Sequence, residues 1–482
     1  MSTSQNISGG RAPSFIEPQG TLFGHPKGLM VLFFTEMWER FSYYGMRGIL
    51  VLFLVSNTKG GYGWTDEQAL ELYGTYTMFV YLMSIPGGIL ADKFLGQKKA
   101  VIIGGFTLVA GHLLMAYPPE WAFYTALCLI VAGTGLLKPN ISTMVGGLYR
   151  EGDSRRDSGF TIFYMGINLG ALLASLIVGY VGEVYGWHYG FSLAGFGMVL
   201  GQIVFIWGRK YLQGVGNLNK NEKDEDRIFT KDQTGTAAAK GFMGFTKHEW
   251  DRIIVILISF IIVLVFWASF EQAGGLMNLF AQQYTDRVVF GWEIPTAWLQ
   301  GLNSFFILTL GGIVAAIWVA LAKRGKNLPS IFKMGLGTSI LGIGFIFMVF
   351  ASLQRTSSAD GLSSLHWLVF AYMFHTIGEL ALSPVSLSFI TKVAPKRIVA
   401  SMMGLYFAVT GLANKLASLI GIWAVRLGEL EVFIYIAGFT IFLGIVLMVL
   451  TKRINKLTHG MEDKKMDEEQ AQTGQLLEAE MS

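Results

Sequence analysis

The sequence predicts an all-α membrane protein of twelve transmembrane helices in two six-helix bundles. Three observations carry that prediction. Of 482 residues, 52% are hydrophobic and only 15% charged, where a soluble chain carries about 25% charged residues. Apolar runs long enough to cross a bilayer recur through the chain. A single polar stretch, containing "NLNKNEKDEDRIFTKDQTGTAAAK", splits them six and six.

The runs lie at roughly 29–56, 70–92, 98–117, 121–147, 157–184 and 188–212, then at 250–273, 296–322, 329–352, 364–391, 397–424 and 431–452. They define an N-terminal segment 1–28, a first bundle 29–213, a linker 214–249, a second bundle 250–452 and a tail 453–482. The opening "MSTSQNISGGRAPSFIEPQG" lacks a charged-then-apolar pattern, so the first span is expected to stay as an anchor. The tail, "EDKKMDEEQAQTGQLLEAEMS", is polar and acidic and is expected to be mobile or weakly helical.

Loop charge gives the orientation. Lys93, Lys98, Lys99, Arg150, Arg155, Arg156, Lys323, Arg324, Lys326, Lys392, Lys396 and Arg397 follow even-numbered spans. The alternate loops hold only Lys59, Arg287, Arg355 and Arg426. The positive-inside rule places the even loops, the linker and both termini in the cytoplasm. The net charge of +4 is thereby read as topology, and no nucleic-acid partner is expected. "GGILADKFLGQKK" and "GGIVAAIWVALAKRGK" close spans two and eight. That weak symmetry fits the repeated halves of secondary transporters, whose sites lie between halves near mid-membrane.

Cys128 is the one cysteine and sits in an apolar run. It excludes an intrachain disulfide and a Cys-based metal site and is expected to be a buried small hydrophobe. No spacing forms a His/Cys metal set, a phosphate loop or a nucleophile triad, so no metal is expected and an enzyme is not.

The first span breaks the apolar rule. "TEMWERFSYYGMRG" carries Glu36, Glu39, Arg40 and Arg47. At about 100° per residue, these four with Tyr43 and Tyr44 occupy one face about 140° wide. Charges cost about 2.5–3.5 kcal/mol each at a span centre, and each large aliphatic or Phe returns about 0.3–0.6. Four charges therefore outweigh the thirteen Leu, Ile, Phe and Val between Leu29 and Val55. The face needs partners or a wet cavity, and intramembrane charge marks a pathway.

Other spans supply matching groups. Lys138 precedes Pro139, which is expected to kink span four. Tyr164 and Asn168 are four apart in span five, and Trp267 and Glu271 four apart in span seven. Asn303 lies in span eight. His375, Glu379, Ser383 and Ser386 share one face of span ten. Alone, Asn168 and Asn303 read equally well as interhelical hydrogen-bonding residues, Trp267 as packing, Tyr81 as an ordinary interfacial tyrosine and His375 as a satisfied core group. Asp92, with Lys93 and Lys98, is read as a conformational latch. The membrane charges sum to +1 in the first half and −2 in the second. If they line one cavity it is bipolar, suited to a zwitterion of two or three residues.

These motifs resemble one family. "EMWERFSYYG" is similar to the ExxERxxYYG signature of the proton-dependent oligopeptide transporters, a branch of the major facilitator superfamily. "GGILADKFLG", "GTGLLKPN", "FYMGINLGA", "FWASFEQAG" and "GELALSP" resemble further family blocks in family order. The resemblance implies the major facilitator fold and proton-driven import of di- and tripeptides across a bacterial inner membrane, with the proton gradient in place of any cofactor. It assigns Glu36, Glu39, Arg40, Lys138 and Glu271 to proton coupling, with Lys138 as charge partner of the glutamates. It gives the peptide carboxylate to Arg40, Arg47 and Lys138, and the amine to Glu379, Asn168 and Asn303. Tyr43, Tyr44, Tyr81, Tyr164 and Trp267 would be pocket walls, with Ser383 also at the binding site and Asp92 and Lys93 as a gate. Gly74 stands where animal relatives have a histidine, and Ser304 where a proline is frequent. The linker is too short for the extra hairpin of many bacterial members. The open alternatives are the same fold carrying nitrate or an amino-acid conjugate, and a peptide sensor that does not transport.

Overall fold

Two capping boxes show how local sequence starts these helices. Thr65 accepts from the Gln68 amide at 3.3 Å while its own amide donates to Gln68 Oε1 at 3.1 Å. Thr246 and Glu249 repeat the arrangement at 3.3 and 2.8 Å. Each box satisfies two orphan donors of a first turn, and the second opens the second bundle directly after the linker.

The computed structural model describes residues 20–150, 153, 155–218, 245–326 and 328–462. Residues 1–19 of the N-terminal segment, 219–244 of the linker and 463–482 of the tail lie outside the described residues. Among the described residues twelve long helical segments follow one another. They are α1 (Lys27–Val55), α2 (Asp66–Leu95), α3 (Gln97–Met115), α4 (Glu120–Gly147), α5 (Arg155–Tyr185), α6 (Trp187–Gly208), α7 (Lys247–Tyr284), α8 (Thr296–Lys323), α9 (Ser330–Ser357), α10 (Leu365–Val393), α11 (Val399–Leu427) and α12 (Glu429–Lys456). Eleven are long and apolar enough to cross a membrane by length and composition. The twelfth, α1, has 29 residues and holds the four charges.

Two helices depart from a simple span. α2 turns at Met83 and ends in a π-helical turn, Ala91–Leu95. α7 breaks at a 3₁₀ turn, Glu271–Gly274, and resumes as Leu276–Tyr284. The apolar run read at 250–273 ends in this turn, and the helix resumes for another nine residues beyond it. Pro139 sits inside α4, which continues to Gly147. The proline cannot donate to the carbonyl of Gly135, and Gly87 of α2 packs against that carbonyl. A Cβ at Gly87 would stand 2.0 Å from it.

Each half has its own apolar core, one around Phe53, Phe123 and Phe191, the other around Phe266, Phe345 and Phe433. The halves meet through α1 and α7, α2 and α11, and α5 and α8. At Gly74 a Cβ would lie 2.1 Å from Ser418 Cβ, so α2 and α11 approach as closely as backbones allow. Cys128 corrects one expectation, since it is exposed on the outer face of α4. A membrane protein's outer face is as apolar as its core, so an apolar run does not say which way a residue points.

With twelve alternating helices, the described chain ends and the two linker ends share one side, here the terminal side. The opposite side is the far side. The ties between halves lie toward the far side. Arg47 pairs with Glu271. Gln300 Nε2 and Asn278 Nδ2 donate to the Gly48 carbonyl at 2.9 and 3.3 Å. The Glu183 carboxylate accepts from the Thr296 and Ala297 amides at 2.8 and 2.7 Å, capping the first turn of α8 from across the interface. Arg426 pairs with Glu67 at 2.7 Å, and Lys415 with Glu71.

Candidate substrate cavity

The charged face of α1 is buried. Glu36 and Glu39 are each 1% exposed and Arg40 3%. Arg40 Nε donates to Glu36 Oε1 at 2.7 Å, the i to i+4 pairing expected of one helix face. It also lies 2.9 Å from Glu39 Oε2, but without hydrogen-bond alignment. Neither oxygen of Glu39 has a hydrogen-bond partner among the described residues, while Glu36 lacks one only at Oε2. Lys138 forms no ion pair with either glutamate among the described residues. Its Nζ sits over the Tyr81 ring, 4.1 Å from the centroid, within electrostatic reach of Glu36, Glu39 and Arg40. Lys138 is the expected charge partner of the glutamates, but Arg40 takes that place because it shares their helix face. Lys138 comes from another helix and finds an aromatic face first.

One turn farther along α1 the face opens onto a cavity between the halves, about 860 Å³ including the open solvent at its mouth. Tyr44, Arg47, Tyr81, Tyr164 and Asn168 line it from the first half. Trp267, Glu271, Gln300, Asn303, Ser304, Tyr372 and Glu379 line it from the second. Toward the far side it is roofed by the Arg47–Glu271 pair. Arg47 Nε also donates to Tyr73 Oη at 2.6 Å. Tyr164, in its first-half wall, is 41% exposed.

The opposite wall holds Glu379. Asn303 Nδ2 donates to Glu379 Oε2 at 2.8 Å and to Thr376 Oγ1 at 3.1 Å. Asn168 Nδ2 bonds back to the Tyr164 carbonyl at 3.0 Å, so its amide is held by its own helix. The cavity thus carries the Arg47–Glu271 ion pair at its roof and, in its second-half wall, a carboxylate beside an amide.

Several expected residues stand elsewhere. Tyr43 is 4% exposed and packs edge-on against Tyr44, one layer behind the lining. Arg40 and Lys138 also stand behind the lining. Ser383 is absent from the lining; it lies one turn beyond Glu379 on α10 and its carbonyl accepts from Ser386 Oγ at 2.9 Å. Helical spacing put it on the right face at the wrong depth. Asp92 and Lys93 are exposed in the π turn, and neither makes an ion pair among the described residues. Lys98 donates instead to Asn217 Oδ1 at 3.2 Å. In this state they hold nothing shut.

The sequence reading missed Tyr73, Glu183, Asn278, Gln300 and Thr376. Glu183 had a signal, as an acidic residue near a span end facing a span that starts with Pro295. The others look like ordinary polar residues until the halves are brought together.

Two six-helix bundles tied by polar contacts toward one side, around a charged cavity, define a multi-pass membrane transporter. The chain belongs to the POT family, whose model matches residues 98–230 and 216–424. It is similar to Peptide transporter YePEPT of Yersinia enterocolitica subsp. palearctica serotype O:3 (strain YE-P4), 36% identical over 87% of this chain and 90% of that protein. It is similar to a di-/tripeptide transporter of Lactococcus lactis subsp. cremoris, 35% identical over 91% and 97%. The crystal structure of a point mutant of peptide transporter POT in complex with alafosfalin superposes with a TM-score of 0.82, at 37% identity over 92% of this chain and 97% of that one. The resemblance read from the motifs and the major facilitator fold are both borne out.

Proposed function

We propose that this protein is a proton-coupled symporter that imports di- and tripeptides by alternating access, powered by the proton gradient without a cofactor. The observation that carries the reading is the charged cavity, lined by the Arg47–Glu271 pair and by Glu379 with Asn303, in a chain of this family. A peptide's carboxylate is drawn to the Arg47 end, backed by Arg40 and Lys138. Its amine is drawn to Glu379 and Asn303. Charge-assisted hydrogen bonds hold both ends, while Tyr44, Tyr81, Tyr164 and Trp267 offer aromatic faces that tolerate varied side chains. Nitrate would leave Glu379 without a task, and a sensor would not need the halves to part.

The basic loops support a cytoplasmic terminal side, and the bacterial relatives support a bacterial inner membrane. The ties between the halves then form the outer seal. Protonating Glu271 removes the carboxylate partner of Arg47, which loosens the outer seal and frees a cation for the peptide. Within α1, Glu39 is the proton acceptor and Glu36 the anchor of Arg40, because neutralising Glu39 breaks no hydrogen bond. The test is saturable uptake of labelled dialanine into proteoliposomes, competed by tripeptides and not by nitrate. Competition by nitrate alone contradicts the reading.

A further inference from the structure

Thr376 accounts for the way Asn303 is presented to the cavity. It is fully buried on α10, and its hydroxyl donates to the Tyr372 carbonyl at 2.7 Å. A threonine has one O–H donor. With that donor spent on its own helix, Oγ1 faces Asn303 only as an acceptor. The amide group must therefore turn Nδ2 toward Thr376, and the same nitrogen's other hydrogen goes to Glu379 Oε2. Both N–H donors are used on one side. Oδ1 is left as the one polar atom of the side chain with no partner among the described residues.

We propose that Thr376 is a positioning residue for amine recognition: through its back-bonded hydroxyl it fixes Asn303 so that Oδ1 joins Glu379 as a second acceptor for the peptide's ammonium group. This rests on the peptide reading above. An ammonium has three donors and no acceptor, so a wall of acceptors holds it and an inward-facing N–H repels it. Without the Thr376 hydroxyl, one Nδ2 hydrogen loses its buried acceptor and the amide swings to offer it to the cavity.

The test compares Thr376→Val, which keeps shape and removes the hydroxyl, with Thr376→Ser, which keeps the hydroxyl. KM for dialanine rises about three- to tenfold in the valine variant with maximal rate within twofold, and the serine variant restores it. Inhibition by N-acetyl-dialanine, which has no ammonium, is unchanged by either. A valine variant with wild-type KM overturns the role, as does a serine variant as impaired as valine, or equal weakening of the acetylated peptide. Wild-type protein without saturable dialanine uptake overturns the peptide reading and this role with it, so the two failures are told apart.

Discussion

Arg47 of α1 and Glu271 of α7 form a buried ion pair that joins the two halves at the roof of the cavity. Its side chains are only 10% and 6% exposed, and Tyr73 Oη accepts from Arg47 Nε. Breaking one partner of such a pair leaves a charge buried without compensation, at about 3–5 kcal/mol. Glu271→Gln is therefore expected to part the far side. Spin labels at Lys59 and Phe290, on one far-side loop of each half, report a longer distance in the variant than in the wild type. An unchanged distance separates the pair from gating.

Glu183 holds the same side by a different means. Its carboxylate takes the first two amides of a 28-residue helix in the other half, where the helix end favours negative charge. Glu183→Ala removes a cap worth about 0.5–2 kcal/mol and shifts the same label pair in the same direction by less. Glu183→Gln, which keeps acceptor capacity at one oxygen, is intermediate.

Much of this arrangement is legible in the sequence. The charges of α1 sort to one face because the helical repeat brings i, i+3, i+4 and i+7 together, and lipid excludes them. That arithmetic is local and reads directly from residues. Depth and partner are not local. Ser383 shares its face with Glu379 yet lies a turn outside the lining, and Lys138 rests on Tyr81, because both depend on how far one helix slides along another. Thr376 and Gln300 were invisible for the same reason. Each is an ordinary polar residue whose meaning comes from an atom on a different helix.

Gly74 tests how tightly the halves close. The 2.1 Å approach of a Cβ to Ser418 leaves no room even for a methyl group without α2 and α11 separating. Gly74→Ala is expected to lower thermal stability by several degrees, and Gly74→His to abolish uptake while leaving the protein inserted in the membrane. Ser418→Gly, which removes the opposing Cβ, restores part of the alanine variant's loss. Full activity of Gly74→His shows that the close approach is dispensable.

The two glutamates of α1 separate in their hydrogen bonding. Glu39→Gln removes a carboxylate that makes no hydrogen bond, so counterflow of labelled against unlabelled dialanine survives while uphill accumulation falls at least tenfold. Glu36→Gln weakens the hold on Arg40 and lowers both. Uphill accumulation by Glu39→Gln at the wild-type level moves the proton elsewhere.

The central claim is that a proton gradient drives a peptide across this cavity, and proteoliposome uptake tests it most directly. Labelled dialanine is supplied outside, with an imposed gradient, acidic on the outside. Accumulation above the external concentration, abolished by a protonophore and by Glu39→Gln, is the predicted result. Dialanine that merely equilibrates, at a rate indifferent to the gradient, contradicts it.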